Sequence, residues 1–339
     1  MQDAHCANVE STNRAVQWFS RLVATLLCSC LGFSQAAEFP VPGKPIRIVV
    51  GFPAGGGTDI QARQIAQQLT SVLGGAPVVV ENRPGAGTLL AANEILKATP
   101  DGHSLLYTPA STLSQLPHTL LAVKYDPLKS FTPISQAAVG PLVLVIHKSI
   151  PAHNVSELVA FAKANPGKLN YVSQGVGTSA HIFGQIFARQ AGIEIVHVPY
   201  KGANDVAKDF MAGRVHLQFA SSSAAVALAK SGDLRLLALV APKRSNLFPD
   251  LPTMGEQGIK GIDMESWIGF VGPAGIAPST VARLSDALSQ ILSTPGIQEA
   301  FRAGGVEAKW AGSEDFSLII RNSYKQWGQT LGDLGYKKE

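Results

Sequence analysis

The sequence predicts an α/β protein with two domains, each built on a mostly parallel sheet flanked by helices. At 339 residues the chain has the length of two ordinary domains. Hydrophobic residues make up 46% of it and charged residues 15%, which provides a buried core and excludes a disordered chain. Short β-branched runs alternate with runs of helical periodicity, as expected where helices connect parallel strands.

The predicted elements follow one another from the first strand, at 46–50, to the end of the chain. Apolar residues between 62 and 73 recur at helical spacing, and a second strand at 78–80 leads through a glycine turn into another helix. Further strands are predicted at 104–107, 141–146, 169–173, 193–198, 215–219, 234–240 and 267–271. Two helices are expected to close the chain, the last with an apolar face over 316–331.

The first 36 residues are predicted to be a signal peptide. Arg14 and Arg21 precede the apolar stretch 22–33, which is too short to cross a bilayer as a helix, and small residues suited to signal peptidase follow it. This segment contains all three cysteines: Cys6, Cys28 and Cys30. The mature chain is therefore expected to have no thiol and no disulfide. Because no later apolar run has transmembrane length, we expect a soluble, exported protein.

The charge and motif content of the chain argue against several functions. The net charge is only +4 and there is no run of Lys or Arg, so nucleic acid is not expected as a partner. The sequence contains no H-E-x-x-H, no cluster of Cys and His, and no G-x-S-x-G. Metal hydrolysis and acyl transfer therefore have no recognisable machinery. We expect a protein that is not an enzyme and that holds neither a metal nor a cofactor.

A glycine-rich turn, 52–59, follows the first predicted strand. Its glycines allow a tight bend that exposes backbone N–H groups at a helix start, where partial positive charge attracts anions. The spacing resembles a P-loop, but Gly57 stands where the phosphate-binding lysine is required, which excludes nucleotide hydrolysis. Gly57 is expected to need the backbone freedom of glycine. The turn supplies these candidate ligand-binding residues: Phe52, Ala54, Gly55, Gly56, Gly57, Thr58 and Asp59.

A second glycine-rich turn, 175–181, follows the predicted strand 169–173. It fits the G-x-G-x-x-A pattern of dinucleotide folds, but Glu194 lies at the start of the next strand instead of its end, which makes that alternative the weaker one. For both turns another alternative is structural, with Thr58 and Thr178 as helix N-caps. The second turn supplies these candidates: Gly177, Thr178, Ser179 and His181.

The two turns fall in different predicted domains. We therefore favour two helix N-termini that face each other across a cleft and bind a carboxylate. Ligands in open α/β sheets bind at the carboxyl ends of strands, so other loops at these ends should line the same cleft. Those loops supply four further candidates: Ser111, Thr112, Lys201 and Ser221.

Several of these side chains have a structural interpretation as well. Asp59 either accepts a group of the ligand or complements the helix dipole. His181 lies two residues after Ser179, which points the two side chains to different helix faces, so a polar contact or core packing is favoured over catalysis. Arg83 and Lys201 either bind a second carboxylate or are simply solvated.

Two segments near the start of the mature chain have a distinctive sequence: Lys44-Pro45-Ile46-Arg47-Ile48-Val49-Val50, which runs into the turn 52–59, and Glu81-Asn82-Arg83-Pro84-Gly85-Ala86-Gly87. Further distinctive segments lie at 165–171, 175–181, 198–202 and 267–270. In this order they closely resemble the Bug family, the substrate-binding proteins related to tripartite tricarboxylate transporters. The resemblance covers nearly all of the chain from Pro40 to the last helix.

The resemblance implies the two-lobed fold of type II periplasmic binding proteins, with the ligand cleft between lobes of discontinuous chain. Domain 1 would comprise 38–140 and 260–339, and domain 2 would comprise 141–259. The two glycine turns correspond to the ligand-gripping loops of the family. Many members carry an acidic residue after the strand that corresponds to 215–219, where this chain has Ala220-Ser221-Ser222. The identity of the ligand is therefore left open.

The resemblance also implies a function, the capture of a small carboxylate in the periplasm by hinge closure of the two lobes. We expect a monomer that docks onto separate membrane subunits of a tripartite tricarboxylate-type transporter, or that reports its ligand to a sensor. The alternative is an exported α/β enzyme that acts on a small carboxylate or phosphate ester in the same cleft.

Overall fold

The computed structural model describes residues 39–200 and 203–339. The predicted signal peptide, its three cysteines and Lys201 lie outside the described residues. Within the two described ranges, no helix combines the length and the apolar composition that a membrane span requires.

Strands and helices alternate along most of the described chain. The strands are β1 (Ile46–Val50), β2 (Val78–Asn82), β3 (Ser104–Pro109), β4 (Phe131–Val139), β5 (Leu142–His147), β6 (Leu169–Ser173), β7 (Ile195–Pro199), β8 (Leu217–Ser221), β9 (Leu234–Val240), β10 (Trp267–Pro273) and β11 (Glu307–Ala311). The helices are α1 (Gly57–Val72), α2 (Leu89–Ile95), α3 (Leu116–Thr119), α4 (Val155–Ala164), α5 (Ser179–Ala191), α6 (Ala203–Met211), α7 (Ser222–Ala229), α8 (Pro278–Leu292), α9 (Pro295–Ala303) and α10 (Ser313–Asp333). A π-helical turn, Ser111–Gln115, leads into α3.

The strands form two sheets, each flanked by helices, and we call each sheet with its helices a lobe. The sheet of lobe 1 has the strand order β11-β4-β10-β3-β1-β2, and that of lobe 2 has the order β7-β6-β8-β5-β9. Lobe 1 therefore takes its strands from two separate parts of the chain, whereas lobe 2 takes its strands from one continuous part. This is the two-lobed α/β architecture that the sequence predicts.

Both sheets are mixed, which differs from the mostly parallel sheets predicted. In lobe 1, β1 is parallel to β2 and β3, whereas β10 runs antiparallel between β3 and β4. In lobe 2, β6 is parallel to β7 and β8, whereas β5 is antiparallel to β8 and β9. Strands β5 and β10 each enter a sheet directly from the other lobe, and β11 is antiparallel to its neighbour β4 as well. Only Gly140 and Pro141 separate β4 of lobe 1 from β5 of lobe 2.

Two strands and one helix are missing from the sequence-based prediction. Strand β4 contains Pro133, which lies beside an irregularity in its pairing with β10, and it buries the polar residues Ser135 and Gln136. It therefore lacks the simple alternation of a half-buried strand. Strand β11 lies at a sheet edge, and its Trp310 is 43% exposed. Because β11 lies between α9 and α10, three helices follow β10 instead of the two predicted.

Helix α10 packs against the cores of both lobes. Phe316 and Ile320, near its start, belong to a core of lobe 1. Trp327 and Leu331, near its end, belong to the main core of lobe 2. The helix has 21 residues, and at 1.5 Å per residue it extends over roughly 30 Å. It therefore joins the two lobes in addition to the strand connections.

Gly269 allows close packing at the centre of the lobe 1 sheet, and this generates a stability prediction. A methyl group at this position would lie 2.3 Å from Cζ of Phe316 and 2.7 Å from the carbonyl oxygen of Ser135. Neither neighbour has room to move, so we expect Gly269→Ala to lower the free energy of unfolding by about 1–3 kcal/mol. Urea denaturation of the purified protein measures the change.

Gly296 provides the matched control for this substitution. It lies in helix α9, and a methyl group there would meet no atom within 4 Å. We expect Gly296→Ala to leave the free energy of unfolding unchanged or to raise it by up to about 1 kcal/mol. Equal denaturation midpoints for the two variants would contradict the packing argument.

Candidate ligand-binding cleft

Loops that follow parallel strands in the two lobes contact one another. Helix α1 begins in lobe 1 after β1, and helix α7 begins in lobe 2 after β8. A methyl group on Gly57 at the start of α1 would lie 2.7 Å from Cβ of Ser223 in α7. A methyl group on Gly87 of lobe 1 would lie 3.3 Å from Cγ2 of Thr178 in lobe 2. The loops at the carboxyl ends of the two sheets therefore face one another, which is where a ligand cleft between the lobes is expected.

Helix α1 offers three backbone donors to this cleft. Its first intrahelical hydrogen bond, 3.0 Å long, joins the N–H of Ile60 to the carbonyl of Gly56. The preceding N–H groups of Gly57, Thr58 and Asp59 have no partner among the described residues, and no side chain caps the helix. Gly56 occupies the N-cap position that was considered for Thr58. The Thr58 hydroxyl makes no hydrogen bond within the part of the chain that the structure describes.

Gly55 and Gly57 of the first turn need to be glycine for different reasons. Gly55 lies at the exposed tip beside Ala54 and has a φ of +80°, which residues with a side chain rarely adopt. Gly57 has no positive φ, so the expected need for backbone freedom is not the reason for glycine there. The reason is the close approach of Ser223 from the other lobe.

Asp59 stabilises the first turn through hydrogen bonds within lobe 1. Its buried carboxylate accepts from the N–H of Gly55 (2.8 Å), from Nε of Arg63 (3.0 Å) and from Nδ2 of Asn82 (2.9 Å). Burial by itself would raise the pKa of Asp59, but the hydrogen bonds from these groups outweigh it and hold the pKa below its ordinary value. Asp59 is therefore ionised and paired, which favours the structural one of its two predicted roles.

Phe52 and Asn82 tie the same turn to the sheet. The side chain of Phe52 packs against the core of lobe 1, and its carbonyl accepts a hydrogen bond from Nδ2 of Asn82 (3.0 Å). Asn82 therefore donates to both the backbone and the carboxylate of the turn. Arg83, considered as a cation for the ligand, forms ion pairs with Glu94 (2.9 Å) and Glu81 (3.4 Å).

Helix α5 offers a second set of three backbone donors, from lobe 2. Its first intrahelical bond joins the N–H of Ile182 to the carbonyl of Thr178 (3.0 Å), which leaves the N–H groups of Ser179, Ala180 and His181 unpaired within the described residues. Thr178 occupies the N-cap position as considered, but its hydroxyl donates to the carbonyl of Gly175 (2.7 Å) and does not cap the helix. The start of α5 is therefore open to an anion, like that of α1.

The peptide groups around Gly177 are held by both lobes. The carbonyl of Gly177 accepts from Nε2 of Gln115 (2.6 Å) and from the hydroxyl of Thr119 (3.1 Å), both in lobe 1. The N–H of Gly177 donates to Nδ1 of His181 (3.1 Å). The hydroxyl of Ser179 donates to Oε1 of Gln115 (2.5 Å). The polar groups of Gly177 and the side chains of Ser179 and His181 are thus already paired within the protein.

His181 stacks on His197 with ring centroids 4.1 Å apart. Nε2 of His197 lies 2.7 Å from the hydroxyl of Ser173, which also contacts the N–H of Gly175. Burial lowers the pKa of His181, and burial together with the neighbouring ring lowers the pKa of His197 to about 4. Both rings are therefore neutral at pH 7, and Nδ1 of His181 serves as an acceptor for the second turn.

Thr112 lies at the centre of a chain of three buried hydroxyl groups. Its Oγ1 is 2.6 Å from that of Thr88 and 2.6 Å from that of Thr108. Thr88 has a φ of +91°, a rare conformation for a β-branched residue, and it lies against Gly51. These three hydroxyl groups, together with the contact between Thr88 and Gly51, thus connect the loops that follow β1, β2 and β3.

The remaining candidates occupy different positions around the cleft. Ser111 begins the π-helical turn, and its hydroxyl makes no hydrogen bond to any described residue. Ser221 caps helix α7, because its hydroxyl accepts from the N–H of Ala224 (3.3 Å). Lys201 cannot be placed, since it lies outside the described residues.

Residues 61–336 match a family described as "Tripartite tricarboxylate transporter family receptor". The chain belongs to this family. Protein BugT of Bordetella pertussis is 31% identical over 297 residues, which cover 87% of this chain and 91% of BugT. The resemblance to the Bug family is therefore confirmed.

Solved structures of periplasmic binding proteins share the fold of this receptor chain. BugD is 31% identical, with a TM-score of 0.81 over 88% of this chain and 100% of its own. Rpa4515 of R. palustris, solved with adipate, is 28% identical, with a TM-score of 0.82 over 88% of this chain and 99% of its own. MatC from Rhodopseudomonas palustris, solved with malate, is 26% identical, with a TM-score of 0.79 over 86% and 99%. The two-lobed periplasmic binding protein fold is thereby confirmed.

Three residues of this cleft are absent from the sequence-based candidates: Asn82, Gln115 and Ser223. Asn82 belongs to one of the segments that resemble the Bug family, and it is the last residue of β2. Its position at the carboxyl end of a strand could have identified it as a candidate. The contacts of Gln115 are with residues 62 and 64 positions away. No local pattern identifies such a contact.

The stacked histidines generate a prediction about acid stability. In the unfolded chain a histidine has a pKa near 6.5, whereas in the folded protein the pKa of His197 is about 4. The unfolded chain therefore binds more protons between these values, and the free energy of unfolding should fall as the pH is lowered through this window. Allowing for the partial exposure of His197, we expect a contribution of about 1–2 kcal/mol.

Denaturation with urea at pH 7 and pH 4 measures this effect. His197→Gln keeps a hydrogen-bonding group near Ser173 but cannot take up a proton in this range. Its loss of stability between the two pH values should be smaller than that of the unmodified protein. Equal losses in the two proteins would show that His197 does not contribute.

Proposed function

We propose that this chain is a periplasmic solute-binding protein that holds a small carboxylate between its lobes for delivery to a membrane transporter. The observation that carries this proposal is the pair of open helix N-termini, α1 in lobe 1 and α5 in lobe 2, at the cleft. Together they present six N–H groups, at 57–59 and 179–181, without partners in the described residues. Such groups and the helix dipoles stabilise an anion without a cationic side chain.

Dicarboxylates are the first candidates for the ligand. The related proteins Rpa4515 and MatC were solved with adipate and with malate, which are both small dicarboxylates. The hydroxyls of Thr58 in α1, Ser111 in the π-helical turn and Ser223 in α7 have no partner within the described residues. We propose that they take part in selecting among acids of different length and polarity.

Closure of the lobes follows from the way the chain connects them. The proposed domains comprise 38–140 with 260–339, and 141–259, so that the chain crosses between the lobes twice. A ligand that contacts both α1 and α5 stabilises the closed arrangement by the contacts it makes only there. Helix α10, which packs on both cores, limits the direction of the motion.

The proposed role includes export and docking. Residues 1–36 act as the signal peptide, and the mature monomer passes its ligand to the membrane subunits of a tripartite tricarboxylate-type transporter. The similarity to periplasmic binding protein BugD supports this location. The hydroxyl of Ser179 donates to Gln115 instead of His181, so these two candidate residues do not form a nucleophile–base pair, which supports binding without conversion.

A ligand screen tests the proposal directly. We expect adipate, malate or another small dicarboxylate to raise the melting temperature by about 5 °C at a hundredfold excess over its Kd, because it binds only the folded state. Hexanamide, which has no carboxylate, serves as the control and should give no shift. Chromatography of the hit should recover it unchanged. A panel in which no acid stabilises the protein, or in which the hit is consumed, would contradict the proposal.

The contact between Gly57 and Ser223 provides a second test, on the stabilising acid from this screen. Gly57→Ala introduces a methyl group 2.7 Å from Cβ of Ser223 and should keep the lobes apart. Overpacking of this kind costs about 1–3 kcal/mol, so we expect the affinity measured by calorimetry to fall about tenfold.

Ser223→Gly removes the clash together with the hydroxyl proposed to select the ligand, so the reference is the Ser223→Gly single variant. Adding Gly57→Ala to Ser223→Gly should change the affinity little. If Gly57→Ala lowers the affinity equally in both backgrounds, or in neither, the two residues do not meet in the liganded protein.

A further inference from the structure

We infer that Gln115 is a positioning residue that couples closure of the lobes to the geometry of the second turn, 175–181. This role rests on the proposed function, since the turn leads into one of the two helix starts assigned to the ligand. Gln115 is not assigned any contact with the ligand itself. It acts through Gly177 and Ser179, and we call these three residues the latch.

The latch is a buried contact between lobes. Gln115 ends the π-helical turn that follows β3 of lobe 1, and its side chain is fully buried. Both ends of its amide are used by lobe 2, since Nε2 donates to the carbonyl of Gly177 (2.6 Å) and Oε1 accepts from the hydroxyl of Ser179 (2.5 Å). The amide therefore bridges two points of the same turn from the opposite side of the cleft.

Separation of the lobes would leave these groups without their partners. The carbonyl of Gly177 also accepts from Thr119 of lobe 1, so it would lose both hydrogen bonds at once. Unpaired buried polar groups are costly, and the turn would either rearrange or admit water. The N–H of Gly177 remains held by His181 from within lobe 2. The full set of hydrogen bonds that orient the peptide groups of Gly177 is therefore formed only when the lobes are in contact. The donors of α5 follow directly after these groups and depend on their orientation.

Close packing makes the latch sensitive to small movements. A methyl group on Gly177 would lie 2.8 Å from Cδ2 of Leu120 and 3.0 Å from Oγ1 of Thr119. Gln115 is the last residue of the π-helical turn, so its amide reaches the second turn from an irregular segment of lobe 1.

Small-angle scattering of the ligand-free protein tests the coupling without any ligand. Gln115→Leu removes both hydrogen bonds at similar side-chain volume, and we expect a larger radius of gyration than in the unmodified protein. Gln61→Leu is the matched control, since Gln61 is a buried glutamine bonded to Tyr107 within lobe 1 (2.9 Å). It should lower the melting temperature without changing the radius of gyration.

Release of adipate provides the second readout. Loss of two hydrogen bonds should raise the dissociation rate of adipate about tenfold in Gln115→Leu, with little change in Gln61→Leu. Ser179→Ala removes only one of the two hydrogen bonds and serves as the test if Gln115→Leu does not fold. It should raise the dissociation rate of adipate less than Gln115→Leu does. The rate of the double variant Gln115→Leu with Ser179→Ala should exceed that of Gln115→Leu only slightly, because the two residues act through one contact.

The outcomes separate the latch from the proposed function. If the unmodified protein binds adipate but Gln115→Leu matches it in both scattering and release, the latch is refuted and the function stands. If neither adipate nor any other acid of the screen binds, the proposed function fails. The scattering comparison with Gln61→Leu then still decides whether Gln115 holds the lobes together.

Discussion

Backbone N–H groups at a helix start have no partner inside the helix, and the proposed site of this receptor uses two such sets. The donors of α1 come from lobe 1 and those of α5 from lobe 2. Each set is useful only if its turn has a fixed shape, since a carboxylate that accepts from several donors requires all of them to be aligned. Many of the side-chain hydrogen bonds around the proposed site hold these two turns in a fixed conformation.

The two turns are fixed in different ways. The first is held within lobe 1, where Asp59 accepts from its own turn, from Asn82 and from Arg63. The ion pair with Arg63 offsets a negative charge that would otherwise oppose an anionic ligand at the same helix start. The second turn is held from both lobes, by His181 on one side and by Gln115 on the other. Among the hydrogen bonds between described residues, those of the second turn cross between the lobes and those of the first turn do not.

The strands and helices that depend on neighbouring residues could be predicted from the sequence. The arrangements that depend on contacts between distant residues could not. Strand, glycine turn and helix at 46–73 depend on neighbouring residues, and the structure contains them as expected. The direction of β5 and β10 depends on where the chain crosses between lobes, which no periodicity records. Strand β4 was missed because its buried polar residues and Pro133 hide the strand pattern, although it occupies the interior of a sheet.

The same limit applies to the candidate cleft. Both turns were predicted as anion sites from glycine spacing and helix starts, which are local properties, and the structure has a helix start with unpaired N–H groups among the described residues at each. The reason for Gly57 was wrong, since the residue that excludes a side chain there, Ser223, lies in the other lobe. Gln115 was missed because its hydrogen-bond partners lie 62 and 64 residues away, beyond any local window. Contacts between lobes are thus what the sequence pattern does not reveal.

The central claim is that the starts of α1 and α5 hold one ligand together. Amide NMR during a titration with the stabilising dicarboxylate tests it most directly, because the N–H groups at 57–59 and 179–181 are individually observable. The account predicts large shifts in both sets with one common midpoint. Shifts confined to one helix start, or different midpoints for the two, would contradict it.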